Sequence, residues 1–369
     1  MRRLVMCFDG TWNEVKDQTN VSRIHAAIAA IPEQPGGPVP QLKYYDEGVG
    51  THVGTKLSGG MLGQGLTQNI REGYAWLIRH WRQGDQLFLF GFSRGAFTAR
   101  SLAGMIGKCG ILKETDATLD ERARKHNALE AAARITDLYK FTHKNGGDPM
   151  AELGKSTREV RIHFIGVWDT VGALGVPLLN WHSAEDFHST ELGENVDHAY
   201  HALAIDEHRK DYQATLWTRI PDPARQVMEQ RWFPGAHANV GGGYEDDLLP
   251  EPPLAWIAGK ARDCHLEISD EVIRLDGNEY RSPVRDSFAE FGFGLYQWIK
   301  LKQRHFRSIG ETVNETVDET ALKKWAAEFG YRPVNLAHAT PSIAMPGVGI
   351  SRGSLTAGLV PPPPHRSMP

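Results

Sequence analysis

The stretch "DQLFLFGFSRGAFTARSLAGMIGKCGIL", residues 85 to 112, constrains the fold more than any other part of the chain. Its first half is a continuous apolar run of strand length, and its second half is a helical run rich in small residues. Between them stands G-x-S-x-G, from Gly91 to Gly95. A strand leading through that turn into a helix holds its serine in a strained tight turn, and the flanking glycines let neighbouring backbone approach where a Cβ would clash.

The rest of the chain alternates strand and helix signals around this unit. "RRLVMCF" and "QLKYYDEG" read as strands separated by the helix "VSRIHAAIAAI". "LTQNIREGYAWLIRHWRQG" repeats Ile70, Tyr74, Leu77, Ile78 and Trp81 at helical spacing. "REVRIHFIGVWDTVGALG" is a buried strand ending at Trp168 and Asp169, "NVDHAYHALAID" reads as a helix, and "QVMEQRWF" is a late strand. "PGAHANVGGGYEDD" follows as a loop and "PPLAWIAGKARDC" as a helix with proline near its start. This order predicts a three-layer α/β fold with a mostly parallel central sheet. The expected organisation is one domain over residues 1–355, with cap or insertion segments at 113–155 and 280–330, and a Pro-rich, extended or disordered tail at 356–369.

With 369 residues, 41% of them hydrophobic, the chain can bury a large core. A formal net charge of −4 and the lack of any long Lys/Arg run disfavour nucleic acid as a partner. Cys7, Cys109 and Cys264 lie too far apart to suggest a disulfide framework or a zinc cluster. The apolar run before Asp9 is too short for a signal-peptide core, and no run approaches transmembrane length. The expectation is a cytoplasmic protein or one exported without a cleaved leader, touching a membrane surface at most transiently.

A serine hydroxyl is a weak nucleophile at neutral pH, so Ser93 needs a base, and that base needs an acid to fix its tautomer. In α/β-hydrolases the acid and then the histidine follow the serine, on loops after later strands. Asp169 and His237 are the best-placed residues by that rule, with Asp206 and Asp246 as competitors for the acid. Counting strands backwards from Ser93 makes "LVMCF" the strand whose following loop supplies the second oxyanion donor. "DGTWN" would then aim the Gly10 or Thr11 amide at the developing oxyanion beside the Arg94 amide, with Asp9 bracing the loop.

Other readings of these residues carry less. Asp9-Gly10-Thr11 also resembles the opening of phosphotransferring haloacid-dehalogenase-like enzymes, but Cys7 stands where their nucleophilic aspartate would be. A metal- or aspartate-dependent phosphohydrolase built on Asp9, Asp169 and the histidines is one alternative, and a catalytically silent binding module is another. His198 and His201, on one face of the expected helix, form a weak metal pair without a third ligand. "GVGTHVGTKLSGG" lacks phosphate-loop spacing and reads as a rim. The aromatic run with Phe288, Phe291, Phe293, Tyr296 and Trp298 reads as core before it reads as a lid.

Six motifs in order carry a resemblance: "CFDGTWN", "YYDEGVGT", "LFLFGFSRGAFTAR", "VWDTVGALG", "HALAIDEHRKDYQATLW" and "WFPGAHANVGGGY". Together they resemble the α/β-hydrolase domain family that includes phospholipase effectors of type VI secretion, from residue 3 to about 260 and more weakly near 335. The resemblance implies a Ser-Asp-His esterase or A-type phospholipase acting on a lipid or other small acyl ester, with no cofactor. Its serine, acid and histidine fall on Ser93, Asp169 and His237. It also implies larger members with a membrane-binding domain that has no visible counterpart here.

Overall fold

The computed structural model describes residues 1–10, 18–48, 59–113, 118–172, 190–290, 303–327 and 330–339. Its strands are β1 (Arg3–Phe8), β2 (Gln41–Asp46), β3 (Gln86–Phe92), β4 (Ile111–Leu112), β5 (Thr157–Arg158), β6 (Ile162–Trp168), β7 (Val196–Ala204), β8 (Val227–Phe233) and β9 (Glu315–Val317). Seven of them form one parallel sheet in the order β2-β1-β3-β6-β7-β8-β9. β4 and β5 pair antiparallel as a separate small ribbon.

Side-chain alternation along the central strands explains the layers. Leu4, Met6, Phe8, Leu87 and Leu89 point to one face, against the helices α2 (Gly59–His80), α3 (Arg94–Cys109) and α4 (Glu121–Asn145). Val5, Cys7, Phe88, Phe90 and Phe92 point to the other, where α1 (Asn20–Ala27) and the helix Glu251–Asp263 cover them. With both faces covered, β1 is buried along its whole length. That is why its sequence from Leu4 to Phe8 is apolar without alternation.

The segment expected as a cap at 113–155 is largely α4, which buries Ala128, Ala132, Ile135 and Tyr139 in the same cluster as α2 and α3. Their spacing of four, three and four residues keeps one stripe of a mostly polar helix inward. The segment expected at 280–330 supplies the edge strand β9 and the helix Glu319–Ala327, whose Ala321, Leu322 and Trp325 pack with Trp232 and Val317.

Three readings are corrected. "NVDHAYHALAID" is the central strand β7 and not a helix. Flanked by β6 and β8 and buried along most of its length, it has no polar face to produce a period of two. His198 and His201 therefore project to opposite faces and cannot form a pair. His198 packs against His163, while the Nε2 of buried His201 accepts the Thr170 amide at 3.0 Å. "HANVG", expected in a loop, is a one-turn helix. The helix around Tyr74 begins at Gly59, inside the stretch taken as a glycine-rich rim. Phe288 is buried, and Phe291, Phe293, Tyr296 and Trp298 lie outside the described residues.

Strand order sets the position of the site. From β1 the chain goes first to β2 on one side and then to β3 on the other, so a crevice opens at the carboxyl ends of β1 and β3. Phe8 pairs with Gly91 across that boundary, which brings Asp9 beside the turn holding Ser93.

Candidate active site

Ser93 sits between β3 and α3 with φ 58° and ψ −121°. A non-glycine residue there costs about 1–3 kcal/mol, which the surrounding packing must hold in place. The Ser93 amide donates to the Trp168 carbonyl at 3.0 Å, tying the turn to the end of β6. The two glycines of the motif are required by close approach. A Cβ on Gly95 would lie 2.1 Å from the Phe8 carbonyl oxygen, and one on Gly91 would lie 2.6 Å from Ala96 Cα. The same tight contact explains why the turn and the loop after β1 meet.

His237 opens the short helix after β8. Its Nε2 lies 2.8 Å from Ser93 Oγ and its Nδ1 lies 2.6 Å from Asp169 Oδ2. The three residues that strand order singled out thus form one continuous hydrogen-bonded chain, on loops after β3, β6 and β8. Burial lowers the His237 pKa, opposed by its bond to Asp169. The ring is held by Phe92, at 4.6 Å between centroids, and by the edge of Tyr212 at 5.2 Å.

Asp169 is fully buried with φ 38°, the left-handed region that aspartate tolerates better than most residues. Its Oδ1 accepts the Ala204 amide at 3.0 Å and Arg307 Nη1 at 2.6 Å, and its Oδ2 accepts Arg307 Nη2 at 3.0 Å beside His237. Burial alone would raise the carboxyl pKa, but the Arg307 charge and the His237 bond hold it well below the usual carboxylate range. Arg307, 1% exposed, also donates to the carbonyls of Ala204, at 2.9 Å, and Tyr212, at 2.5 Å. No periodicity or motif around "RHFRS" singles it out.

A second buried carboxylate, also missed by sequence reasoning, braces the histidine backbone. Glu207 Oε2 accepts the His237 amide at 3.3 Å and the Ser287 hydroxyl at 2.9 Å. Arg209 pairs with Glu207 through Nε at 2.9 Å and Nη2 at 2.8 Å, and its guanidinium carbon sits 3.5 Å from the Tyr212 ring centroid. Burial works against the charge on Glu207, yet the bond to Arg209 brings its pKa down to about 2. Asp206, a competitor for the acid, accepts the Gly235 amide at 2.7 Å and the Tyr331 hydroxyl at 2.9 Å. It holds the loop leading to His237. Asp246 is exposed.

The expected oxyanion donors divide. Arg94 occupies the first turn of α3, where its amide has no carbonyl within the helix to bond. The Gly10 amide, in contrast, donates to Asp9 Oδ1 at 2.7 Å, so it is already engaged in the loop itself. Thr11 lies outside the described residues. Asp9 Oδ2 accepts the Thr19 hydroxyl at 2.5 Å and the Tyr45 hydroxyl at 2.8 Å, so its carboxylate ties the start of this loop to α1 and β2.

A family model described as "T6SS, Phospholipase effector Tle1-like, catalytic domain" matches residues 2–260. The chain belongs to this family. Ser93, Asp169, Glu207 and His237 fall inside the matched span, whereas Arg307 lies beyond it. An uncharacterized protein of Saccharomyces cerevisiae, YEL023C, is 26% identical over 385 aligned positions, covering 88% of this chain and 52% of its own length. The crystal structure of an uncharacterized protein from Pseudomonas aeruginosa is similar at a TM-score of 0.48 and 18% identity, over 81% of this chain and 50% of that one. The chain thus spans about half the length of the curated relative it matches.

Proposed function

We propose that the chain is a serine hydrolase of the phospholipase A or esterase type, cleaving carboxylic esters of lipid-like acyl substrates. The observation that carries this reading is the unbroken hydrogen-bonded run from Ser93 Oγ through His237 to Asp169 at 2.8 and 2.6 Å. Membership of a family named for phospholipase effectors supports a lipid substrate.

In this mechanism His237 Nε2 takes the proton from Ser93 as Oγ attacks the ester carbonyl carbon. The carbonyl oxygen gains a full negative charge, which the Arg94 amide stabilises, and a donor of this kind is commonly worth ~3 kcal/mol of barrier. His237 then returns the proton to the departing alkoxide, leaving an acyl-serine. Water enters, His237 removes its proton, and the acid leaves as Ser93 recovers its hydrogen. Asp169 keeps the Nδ1 proton on His237 and stabilises the imidazolium at both stages.

The test is intact mass after incubation with a fluorophosphonate, comparing wild type with Ser93→Ala and His237→Ala. One adduct on wild type, absent from the Ser93 variant and slow on the His237 variant, is expected. Hydrolysis of phosphatidylcholine and phosphatidylethanolamine with chemically distinct acyl chains then identifies the bond cut. A folded wild-type protein that forms no adduct would overturn the reading.

A further inference from the structure

A cavity of about 320 Å³ lies along α3, on the sheet face it shares with α4, and none of Ser93, Asp169 or His237 is on its wall. Phe97, Ile165, Leu192 and Val196 line it with apolar surface. At one place this lining is interrupted by Arg100. The Arg100 guanidinium sits 4.5 Å from the Trp217 ring centroid, and its Nη1 donates to the Thr215 carbonyl, both residues being part of the same wall. Its Nη2 is buried and has no hydrogen-bond partner.

That arrangement is costly unless something completes it. Arg100 as a whole is half-buried, but a buried donor atom left without an acceptor forfeits its hydration. Burial brings the Arg100 pKa down to about 9, and no carboxylate among the described residues offsets it. The two acids on the cavity wall, Glu191 and Glu194, are both exposed, and Glu191 faces Arg219 at 3.5 Å. Lys108 and His143 add further basic groups to the lining. A guanidinium with a free nitrogen matches a carboxylate or phosphate oxygen pair, and the neighbouring apolar wall matches an alkyl chain.

We propose that this cavity is a binding site, separate from the candidate active site, for a single-chain amphiphile with an anionic oxygen head. The head meets Arg100 and the chain lies along Phe97, Ile165, Leu192 and Val196. A fatty acid has this chemistry, and so does an alkyl phosphate. The assignment rests on the cavity and on Arg100, and it stands whether or not Ser93 is a nucleophile.

The experiment is titration calorimetry on the full chain carrying Ser93→Ala, which removes turnover. The probes are dodecanoate, dodecyl phosphate and dodecanol, each below its aggregation threshold. Both anions are expected to bind at least about tenfold more tightly than the alcohol, as one charged hydrogen bond would provide. Their ranking assigns the head group. Adding Arg100→Leu brings the anions to the level of dodecanol and leaves dodecanol unchanged. Gly104→Leu is the second variant. A Cβ at Gly104 meets only the Tyr139 hydroxyl, at 3.2 Å, so the side chain extends into the cavity and should abolish binding of all three probes. It decides the matter if the Arg100 variant does not fold. Equal affinity for alcohol and anions, absence of binding, or anion binding that survives Gly104→Leu would overturn the proposal.

Discussion

Replacing Arg307 with methionine tests the least anticipated part of the site. The substitution keeps roughly the length of the aliphatic stem but removes two hydrogen bonds to Asp169, at 2.6 and 3.0 Å, in a pair whose side chains are 1% and 0% exposed. Breaking a buried pair by removing one member typically costs about 3–5 kcal/mol, because the remaining charge is left uncompensated. The Ala204 amide and His237 still serve Asp169, which places the expected loss toward the lower end. At ~2.1 cal/mol/K of unfolding entropy per residue, a chain of 369 residues loses roughly 1.3 °C of Tm per kcal/mol. A fall of ~4–5 °C is expected by calorimetry.

A merely structural arginine would stop there. In this site Arg307 also competes with the imidazolium for the charge on Asp169, so its removal should make Asp169 a stronger partner for protonated His237. The His237 pKa should then rise, and the acid limb of kcat/KM against pH should move upward in Arg307→Met. Asp169→Asn supplies the control, since the same arginine substitution made on a neutral partner should no longer move that limb. Wild-type Tm together with an unmoved pH profile would refute the argument that Arg307 balances this carboxylate.

Other expectations follow from the same geometry. Ser93→Ala and His237→Ala should each lower kcat by about 10⁴-fold or more without a comparable change in Tm, read with a chromogenic acyl ester. As the proposed base, His237 would act in its neutral form, and burial lowers its pKa, so wild-type kcat/KM should hold down to pH values below the ordinary ~6.5 of histidine before it falls. Asp169 is held below its usual range when folded, so its stabilisation is complete above ~3.9 and is lost as pH falls further. Acid unfolding followed by circular dichroism should therefore start at higher pH in Asp169→Asn than in wild type. Gly95→Ala should give insoluble or severely destabilised protein, since its Cβ would lie 2.1 Å from a β1 carbonyl oxygen. Gly259→Ala, on an open position of the helix Glu251–Asp263, should gain ~0.5–1 kcal/mol in urea unfolding.

What could be read from the sequence depended on how locally each feature is encoded. The turn at Ser93 was legible because strand, glycines and helix are contiguous in "LFLFGFSRGAFTAR", and the order of later strands then pointed to Asp169 and His237. β7 was misread for a physical reason. A strand hydrogen-bonded on both sides and covered on both faces carries no alternation, and its alanines and histidines have little strand preference of their own. β9, with three residues at the sheet edge, is too short to produce a pattern. Arg307 stands in a segment with no periodicity, and its role depends on a contact to a residue 138 positions away.

The misreading of β7 also hid the part of the chain that builds the site. Three residues at and just beyond the end of that strand each hold a different group: Ala204 gives its amide to Asp169 and its carbonyl to Arg307, Asp206 holds Gly235, and Glu207 holds the His237 amide. Read as a helix, "ALAIDE" places its acids on a solvated face. Read as the carboxyl end of a central strand, it puts two acids where solvent is scarce, and buried acids require donors. Both find them in the loop that carries His237. The site is therefore held by the residues after β7 as much as by those after β3. Glu207→Gln, which keeps the shape but lowers the charge facing Arg209, should loosen His237 and reduce kcat more than KM.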